Sequence, residues 1–510
     1  MKKLLSFAIL ILLPICAFSQ HAFNTEVKSS KGLSSFKSNA PFVIDSVEFN
    51  PRYETSVYQS VLVKKIVSTY IVTANQKGKK ETVAALDFPK DVTFTPVNDN
   101  LQDYWLAINL GTLKPISEIE DLYKTRAEME ADANDYIQML SKYGQIYDDP
   151  YLESYLYSIV TRILPKHRAD GFPYDLKIVL VRDETMNACI FPNGIMIINT
   201  GLLAELHTED ELVAVVSHEL GHFVANHSLV NMRNMEKKAA RAEFWAGLAT
   251  IAAATVEGIA SAASDQYYTG ALTYGTAAIS SAFVSDFLAR VGANYSKEQE
   301  KEADQIALKV LKYLGYDTNA EATLFQRMTD AYNAEGNWAA YYMSGDHPSL
   351  KERIGYSGTP YKKTDPVFEK KISFAVTEAA ISKYVRGRFT QALNLVSQNI
   401  NNKVGTDDDY LIKALCTLNL YSDAGHNEEA RSCIKMAKSL NPANENILRT
   451  EIISCLRSND NREAGILLDD YLNKLNNQLD HIENKESYSY RALLGEQDWA
   501  RKMAIKVKGL

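Results

Sequence analysis

The sequence predicts an α+β chain that is mainly helical, with a β-rich region ahead of the helices. Three observations carry this. Residues 42 to 110 hold runs such as SVLVKKIVSTYIVTA, where apolar and polar residues alternate and β-branched residues and tyrosines abound, as in half-buried strands. From about Pro115 the apolar period lengthens to that of helices, interrupted by YDLKIVLVRDE and ACIFPNGIMIINTGL, which read as two strands. From Leu202 to the C-terminus helical patterning dominates. A chain of 510 residues exceeds what one core serves, so roughly two to four domains are expected. With 46% hydrophobic and 23% charged residues it is an ordinary globular chain, neither disordered nor fibrous. Its formal charge of -8 argues against nucleic acid as a partner.

The opening MKKLLSFAILILLPICAFSQ joins two lysines, an apolar stretch from Leu4 to Ile15, and small residues at Ala17 and Ser19. That is the pattern of a cleaved signal peptide over residues 1–19, which places the mature protein in the periplasm. A lipoprotein route through Cys16 needs a small residue before it, and Ile15 stands there. Residues 20–115 form the β-rich N-terminal region, to which no chemistry is assigned. Of the cysteines left after cleavage, none forms a C-x-x-C pair, so a cysteine metal site is not expected. Cys189, Cys416, Cys433 and Cys455 read as free core residues, with a disulfide among the last three as the alternative.

Residues 244–264, FWAGLATIAAATVEGIASAAS, are the most apolar stretch after the leader, but Glu257 interrupts them. A packed helical excursion is the first reading. Membrane contact, which would make the exported protein membrane-associated, is the second. After Thr364 the chain falls into helical pairs, with alanines echoing at Ala392, Ala430 and Ala464, 38 and 34 residues apart. That spacing is close to the tetratricopeptide (TPR) period, so residues 364–510 are read as a TPR-like helical repeat domain; a generic helical bundle is the alternative.

The stretch SHELGHFVANH concentrates histidine in a chain that holds only 9. Thr208, followed three residues later by Glu211, starts a helix. On that helix His218 and His222 lie about 40° apart, one turn above the other, so both imidazoles can reach one ion. His227 is carried about 180° from His218, to the far side, unless the helix breaks. A metzincin would have histidine at position 228 and glycine at 225, where Ser228 and Ala225 stand, so that class is excluded. A histidine pair without metal on a buried helix remains the plain alternative.

A further ligand has to come from another segment. YSKEQEKEADQIALKVLKYLGYD opens with Ser296 and Gln299 in capping-box spacing and closes at Gly315. Its apolar face runs through Ala303, Ile306, Ala307 and Val310, and of the acidic residues only Glu300 and Asp304 project on that side. A carboxylate there is costly unless something pairs with it. Glu298 and Glu302 read as a solvated face.

HELGH followed by EKEAD, an E-x-x-x-D, resembles the two metal motifs of the gluzincin metalloproteases of CAAX prenyl protease, HtpX and BepA type. NACIFPNGIMIINTGLL is similar to the strand that precedes them in that family, and DHPSLKERI to its downstream HP…RI element. The resemblance covers about residues 120–360; leader, protease and repeats together resemble the periplasmic BepA branch. The β-rich N-terminal region, and Cys189 where the family has phenylalanine, depart from the pattern.

The resemblance implies a zincin-type metalloprotease domain over residues 116–363, binding one Zn²⁺ per chain through His218, His222 and Glu300 with a position open to water. It implies that Glu219 is the general base, that Asp304 orients a ligand histidine, and that the strand after Asn187 pairs with substrate backbone. His347 is then a displaceable fourth ligand or a substrate contact, against a structural histidine beside Pro348; Arg353 is a salt-bridge residue in preference to an oxyanion stabiliser. The expected function is a periplasmic zinc metalloendopeptidase that hydrolyses unfolded or misassembled envelope proteins in quality control. An outer-membrane assembly partner would be held by the repeats. The alternative is a periplasmic chaperone or assembly scaffold acting through its repeats with little proteolysis.

Overall fold

Five antiparallel strands begin the chain: β1 (His21–Lys28), β2 (Phe42–Tyr58), β3 (Val61–Gln76), β4 (Lys79–Ala84) and β5 (Thr93–Pro96), in the order β4-β3-β2-β1-β5. Phe42 and Ile44 on β2, and Tyr70, Val72 and Ala74 on β3, are buried while their neighbours are half-exposed, so the alternation in the sequence becomes one buried face. The helix α1 (Leu101–Ser117) packs on β5 and β1. It begins well before Pro115, which falls in its last turn, so the β-rich reading of residues 101–110 is corrected. The buried stripe of α1 is Leu101, Trp105, Asn109 and Leu113; the polar Asn109 in the middle of it is what hid the helical period.

This computed structural model describes residues 21–28, 36, 41–58, 61–88, 92–117, 122–142, 145–165, 176–234, 295–335, 349–485 and 488–508. They fall into two compact units, Met1–Tyr123 with Pro165–Tyr174, and Lys124–Leu164 with Asp175–Leu510. The leader (1–19), the apolar stretch at 244–264 and His347 lie outside the described residues.

The second unit starts with α2 (Leu122–Lys142), β6 (Ile146–Tyr147) and α3 (Pro150–Ile163). Next come β7 (Lys177–Val181), β8 (Ala188–Ile190) and β9 (Ile195–Asn199). The four strands order as β6-β7-β9-β8, with β7 and β9 parallel and β8 antiparallel at one edge. ACIFPNGIMIINTGL is therefore a hairpin and not one strand. Pro192 and Asn193 turn the chain, Gly194 takes the left-handed φ of 89° that the return requires, and its N–H donates to the Phe191 carbonyl at 2.9 Å. All five residues of β9 are buried, so a continuous apolar run conceals the turn from pattern reading.

Helices follow: α4 (Thr200–Glu205), α5 (Glu209–Val224), α6 (His227–Asn234), α7 (Lys297–Leu314), α8 (Asn319–Glu335) and α9 (Leu350–Ser357). An array comes next, made of α10 (Pro366–Val385), α11 (Phe389–Asn401), α12 (Asp407–Leu420) and α13 (Ala424–Leu440). It ends with α14 (Asn446–Arg457), α15 (Asn461–His481) and α16 (Tyr488–Lys508). Each array helix packs on the next, and α12 also touches α10 and α14. Ala392, Ala430 and Ala464 sit on α11, α13 and α15 with 0% exposure. All four described cysteines are free, and none pairs with another.

The helix α10 is buried on two sides, against α4 and against the array, with Ile372, Ala375, Val376, Ala379 and Ala380 all enclosed. Polar ties run from it to the sheet and to the entrance of α5. The Asp365 N–H donates to the His207 carbonyl at 2.8 Å, Glu369 meets His207 Nδ1 at 2.7 Å, Glu378 takes Arg182 at 2.9 Å, and Arg386 reaches Glu184 at 2.8 Å. Deleting residues 365–510 uncovers apolar surface and unpairs buried charges at once. The shortened protein is expected to be insoluble or to lack a cooperative thermal transition; a soluble fragment melting within a few degrees of the full chain would show α10 to be dispensable.

Candidate metal centre

Two helices make the site. Thr208 caps α5 by accepting from the Glu211 N–H at 3.3 Å, and the buried Glu211 carboxylate takes Arg327 at 2.9 and 3.2 Å. The start of α7 is fixed by a full capping box between Ser296 and Gln299, and its end by Gly315. They cross at Gly221. A Cβ there would meet Ile306 Cγ2 at 3.3 Å and Ala303 Cα at 3.4 Å, tight contacts that a glycine avoids where the helices come together. The consequence is that Glu300 and Asp304 on α7, 5% and 0% exposed, face His218 and His222 on α5, while Glu298 and Glu302 are exposed.

His218 Nε2 and His222 Nε2 lie 3.1 Å apart, and the Glu300 carboxylate lies 3.6 Å from the first and 3.9 Å from the second. Ligands held about 2.0–2.2 Å from a tetrahedral ion stand about 3.3 Å from one another. Two imidazoles and a carboxylate in this near-equilateral triangle fit such an ion. A second acidic group, His218 with Asp304 and Glu321, does not compete. Asp304 already accepts from Arg353 at 2.6 and 2.9 Å, from Tyr356 at 2.6 Å and from His218 Nδ1 at 2.9 Å. Burial raises the Glu321 carboxyl well above its ordinary range, with Asp304 adding to the rise.

Electrostatics follow from this packing. Burial works against the charge on Asp304, yet Arg353 and His218 hold its carboxyl down at about 2. Burial alone would lower His218, but the bond to Asp304 raises it; burial, helped by the neighbouring histidines, drives His222 well down and leaves its ring neutral. Desolvation pushes Glu219 up to about 7, with His218 opposing and Glu300 adding. Arg353 also approaches Glu300 at 3.4 Å and stacks 4.0 Å over Phe325, which puts it in the salt-bridge network.

Asn187 precedes β8, and its carbonyl accepts from the Asn199 N–H at 3.1 Å. The Phe191 N–H points to β9, bonding Ile195 at 2.8 Å, so the Ile190 N–H faces the free edge, where it donates to Glu219. The edge of β8 and the carboxyl of Glu219 therefore adjoin.

Three features were not read from the sequence. The helix breaks at Asn226, with φ 56°, and returns His227 to His222, Nδ1 to Nδ1 at 2.9 Å. The Tyr295 ring stacks on His222 at 3.9 Å. Glu302 is not merely solvated, for its carboxylate lies 3.3 Å from His227 Nε2. Asn is the non-glycine residue most at ease in left-handed backbone, so Asn226 was the available signal for the break.

Gly221→Val is expected to force α5 and α7 apart. Overpacking of this kind costs about 1–3 kcal/mol, enough to lower the thermal midpoint by several degrees. A midpoint unchanged by the substitution would mean the close approach does not hold the helices.

Comparison with known proteins accords with this geometry. Residues 150–356 match the model of the family described as Peptidase family M48. A putative beta-barrel assembly-enhancing protease of Vibrio cholerae serotype O1 is 27% identical over 219 residues, 43% of this chain and 41% of its own length. The mitochondrial metalloendopeptidase OMA1 of Schizosaccharomyces pombe is 31% identical over 223 residues, 43% of this chain and 56% of its own length. The beta-barrel assembly-enhancing protease of Escherichia coli K12 is 25% identical over 196 residues, 38% of this chain and 36% of its own length. The chain thus spans less than two thirds of the length of each of these relatives. The chain carries a peptidase family M48 domain over residues 150–356, inside which both α5 and α7 lie.

Proposed function

We propose that the protein is a zinc-dependent metalloendopeptidase acting on unfolded or misassembled envelope proteins. The triangle of His218 Nε2, His222 Nε2 and the Glu300 carboxylate, with Glu219 beside it, carries the reading. Zinc, if held by these three residues, would supply Lewis acidity toward a carbonyl oxygen and toward water. Glu219 takes the proton of the attacking water and delivers it to the leaving amine. Its desolvated carboxyl suits both halves of that transfer. Asp304 holds His218 by Nδ1, which leaves Nε2 as the ligand atom, and Arg353 keeps Asp304 charged.

The edge of β8 beside Glu219 suits a substrate that adds as an extended strand. Main-chain pairing of that kind is indifferent to most side chains, which supports a quality-control role for an enzyme exported by the leader at residues 1–19. The array from α10 onward, read as TPR-like repeats, is the surface on which we place an outer-membrane assembly partner. The names of the Vibrio and Escherichia relatives support that assignment. No helix among the described residues is long and apolar enough to cross a membrane.

Two measurements test the reading. Glu219→Gln is expected to retain zinc and fold while cleavage of casein drops by about 10² to 10⁴, because an amide accepts no proton. Glu300→Gln is expected to lose most of the zinc. Full cleavage by the Glu219 variant rules out this base. Unfolded-chain binding by a wild type that holds zinc and cleaves nothing favours the scaffold reading.

A further inference from the structure

We propose that His227 is a positioning residue for His222, fixing which ring nitrogen His222 offers to a metal, with Glu302 fixing His227 in turn. The inference deepens the zinc reading and rests on it. A continuous helix would carry His227 to the side opposite His218. Instead the chain turns through left-handed Asn226, whose Nδ2 donates to the Val224 carbonyl at 3.0 Å, and α6 begins at His227 itself. That break brings the two Nδ1 atoms to 2.9 Å.

One hydrogen bond between two imidazoles needs one donor and one acceptor. If Nε2 of His222 is a metal ligand it carries no proton, so the neutral ring is protonated at Nδ1 and donates to His227 Nδ1. His227 must then hold its own proton on Nε2, and Glu302 Oε2 lies there at 3.3 Å to receive it. The order is set from end to end. Each bond determines the next tautomer. His227 is 4% exposed, so water does not readily take its place, whereas the Glu302 side chain is 52% exposed and its carboxylate stays hydrated. Tyr295 holds the frame: its ring covers His222 and its hydroxyl bonds Ser228 at 2.7 Å, next to His227. The two ligand histidines therefore differ, since His218 is backed directly by a buried carboxylate and His222 by a neutral ring.

The test uses the full chain, with zinc affinity read by competition against a chromophoric chelator. Asn places an amide oxygen where His227 has Nδ1, whereas Phe fills the ring volume and accepts nothing. His227→Asn is expected to bind zinc within a few-fold of wild type and His227→Phe about 10- to 100-fold more weakly, with Glu302→Gln closer to wild type than to His227→Phe. Equal affinities for the two His227 variants, or the reverse order, would make His227 a packing residue and overturn the proposal. Nitrogen-15 spectra of the zinc-loaded wild type give a check that needs no variant to fold. They should show His227 protonated at Nε2 and bare at Nδ1. A proton on His227 Nδ1 overturns the relay while leaving the zinc site standing; a wild type that binds no zinc overturns both.

Discussion

The site depends on how closely α5 and α7 approach one another at Gly221. Two helices normally lie 8–10 Å apart, with side chains between them. Here one glycine takes the place of a side chain, and Ala303 and Ile306 fill the space it vacates. The residues next to the crossing and one turn before it are thereby brought together: His222 and His218 from one helix, Asp304 and Glu300 from the other. Glycine inside a helix costs about 1 kcal/mol relative to alanine. The position therefore weakens the helix it sits in and sets the spacing between the two. The capping box of α7, the Thr208 cap of α5 and the Glu211–Arg327 pair contribute at the ends of the helices, fixing where each one starts.

Charge organises what that crossing assembles. Three carboxyl groups, Glu300, Asp304 and Glu321, are buried around His218, an arrangement that repels unless cations or protons intervene. Each is met differently. Arg353 binds Asp304 twice and leans on Glu300, burial pushes the Glu321 carboxyl toward its neutral form, and Glu300 faces the two histidine nitrogens. The guanidinium suits this because it cannot lose its proton and presents a flat fork, stacked on Phe325. His218, His222 and Glu300 are the group in this cluster that could hold a further cation.

Much of this was legible because helical periodicity survives in the residues that form the site. The four-residue spacings of His218 with His222 and Glu300 with Asp304 place each pair on one face, and the wheel separates Glu300 and Asp304 from Glu298 and Glu302. What escaped has identifiable causes. The break at Asn226 depends on a single backbone angle, and nothing in the apolar pattern around it changes, so His227 was placed on the wrong side. The hairpin within residues 188–199 is apolar on both arms, leaving only Pro192, Asn193 and Gly194 to mark the turn. The early start of α1 was hidden by one polar residue on its buried stripe. The cysteines were easier, because without a C-x-x-C pair they read as free thiols, and all four described ones are free.

The array also bears on the site through β8. Behind that strand, the loop from β7 carries Glu184, which Arg386 binds at 2.8 Å and Arg388 at 3.5 Å from the turn between α10 and α11. The same loop holds Asp183, whose carbonyl accepts from the Gly201 N–H at 2.7 Å at the start of α4. The strand whose edge adjoins Glu219 is therefore anchored at its root by the first helices of the array, and the entrance to α5 is anchored by His207 to Glu369. Both elements that flank the reacting position, the edge strand and the histidine helix, are held from one side by α10. A helix buried on two faces and tied by four polar contacts is a poor hinge, since moving it exposes apolar surface on both sides and unpairs the charges together. The loop behind β8 and the entrance to α5 are thus fixed to one helix, and displacing α10 would disturb both together.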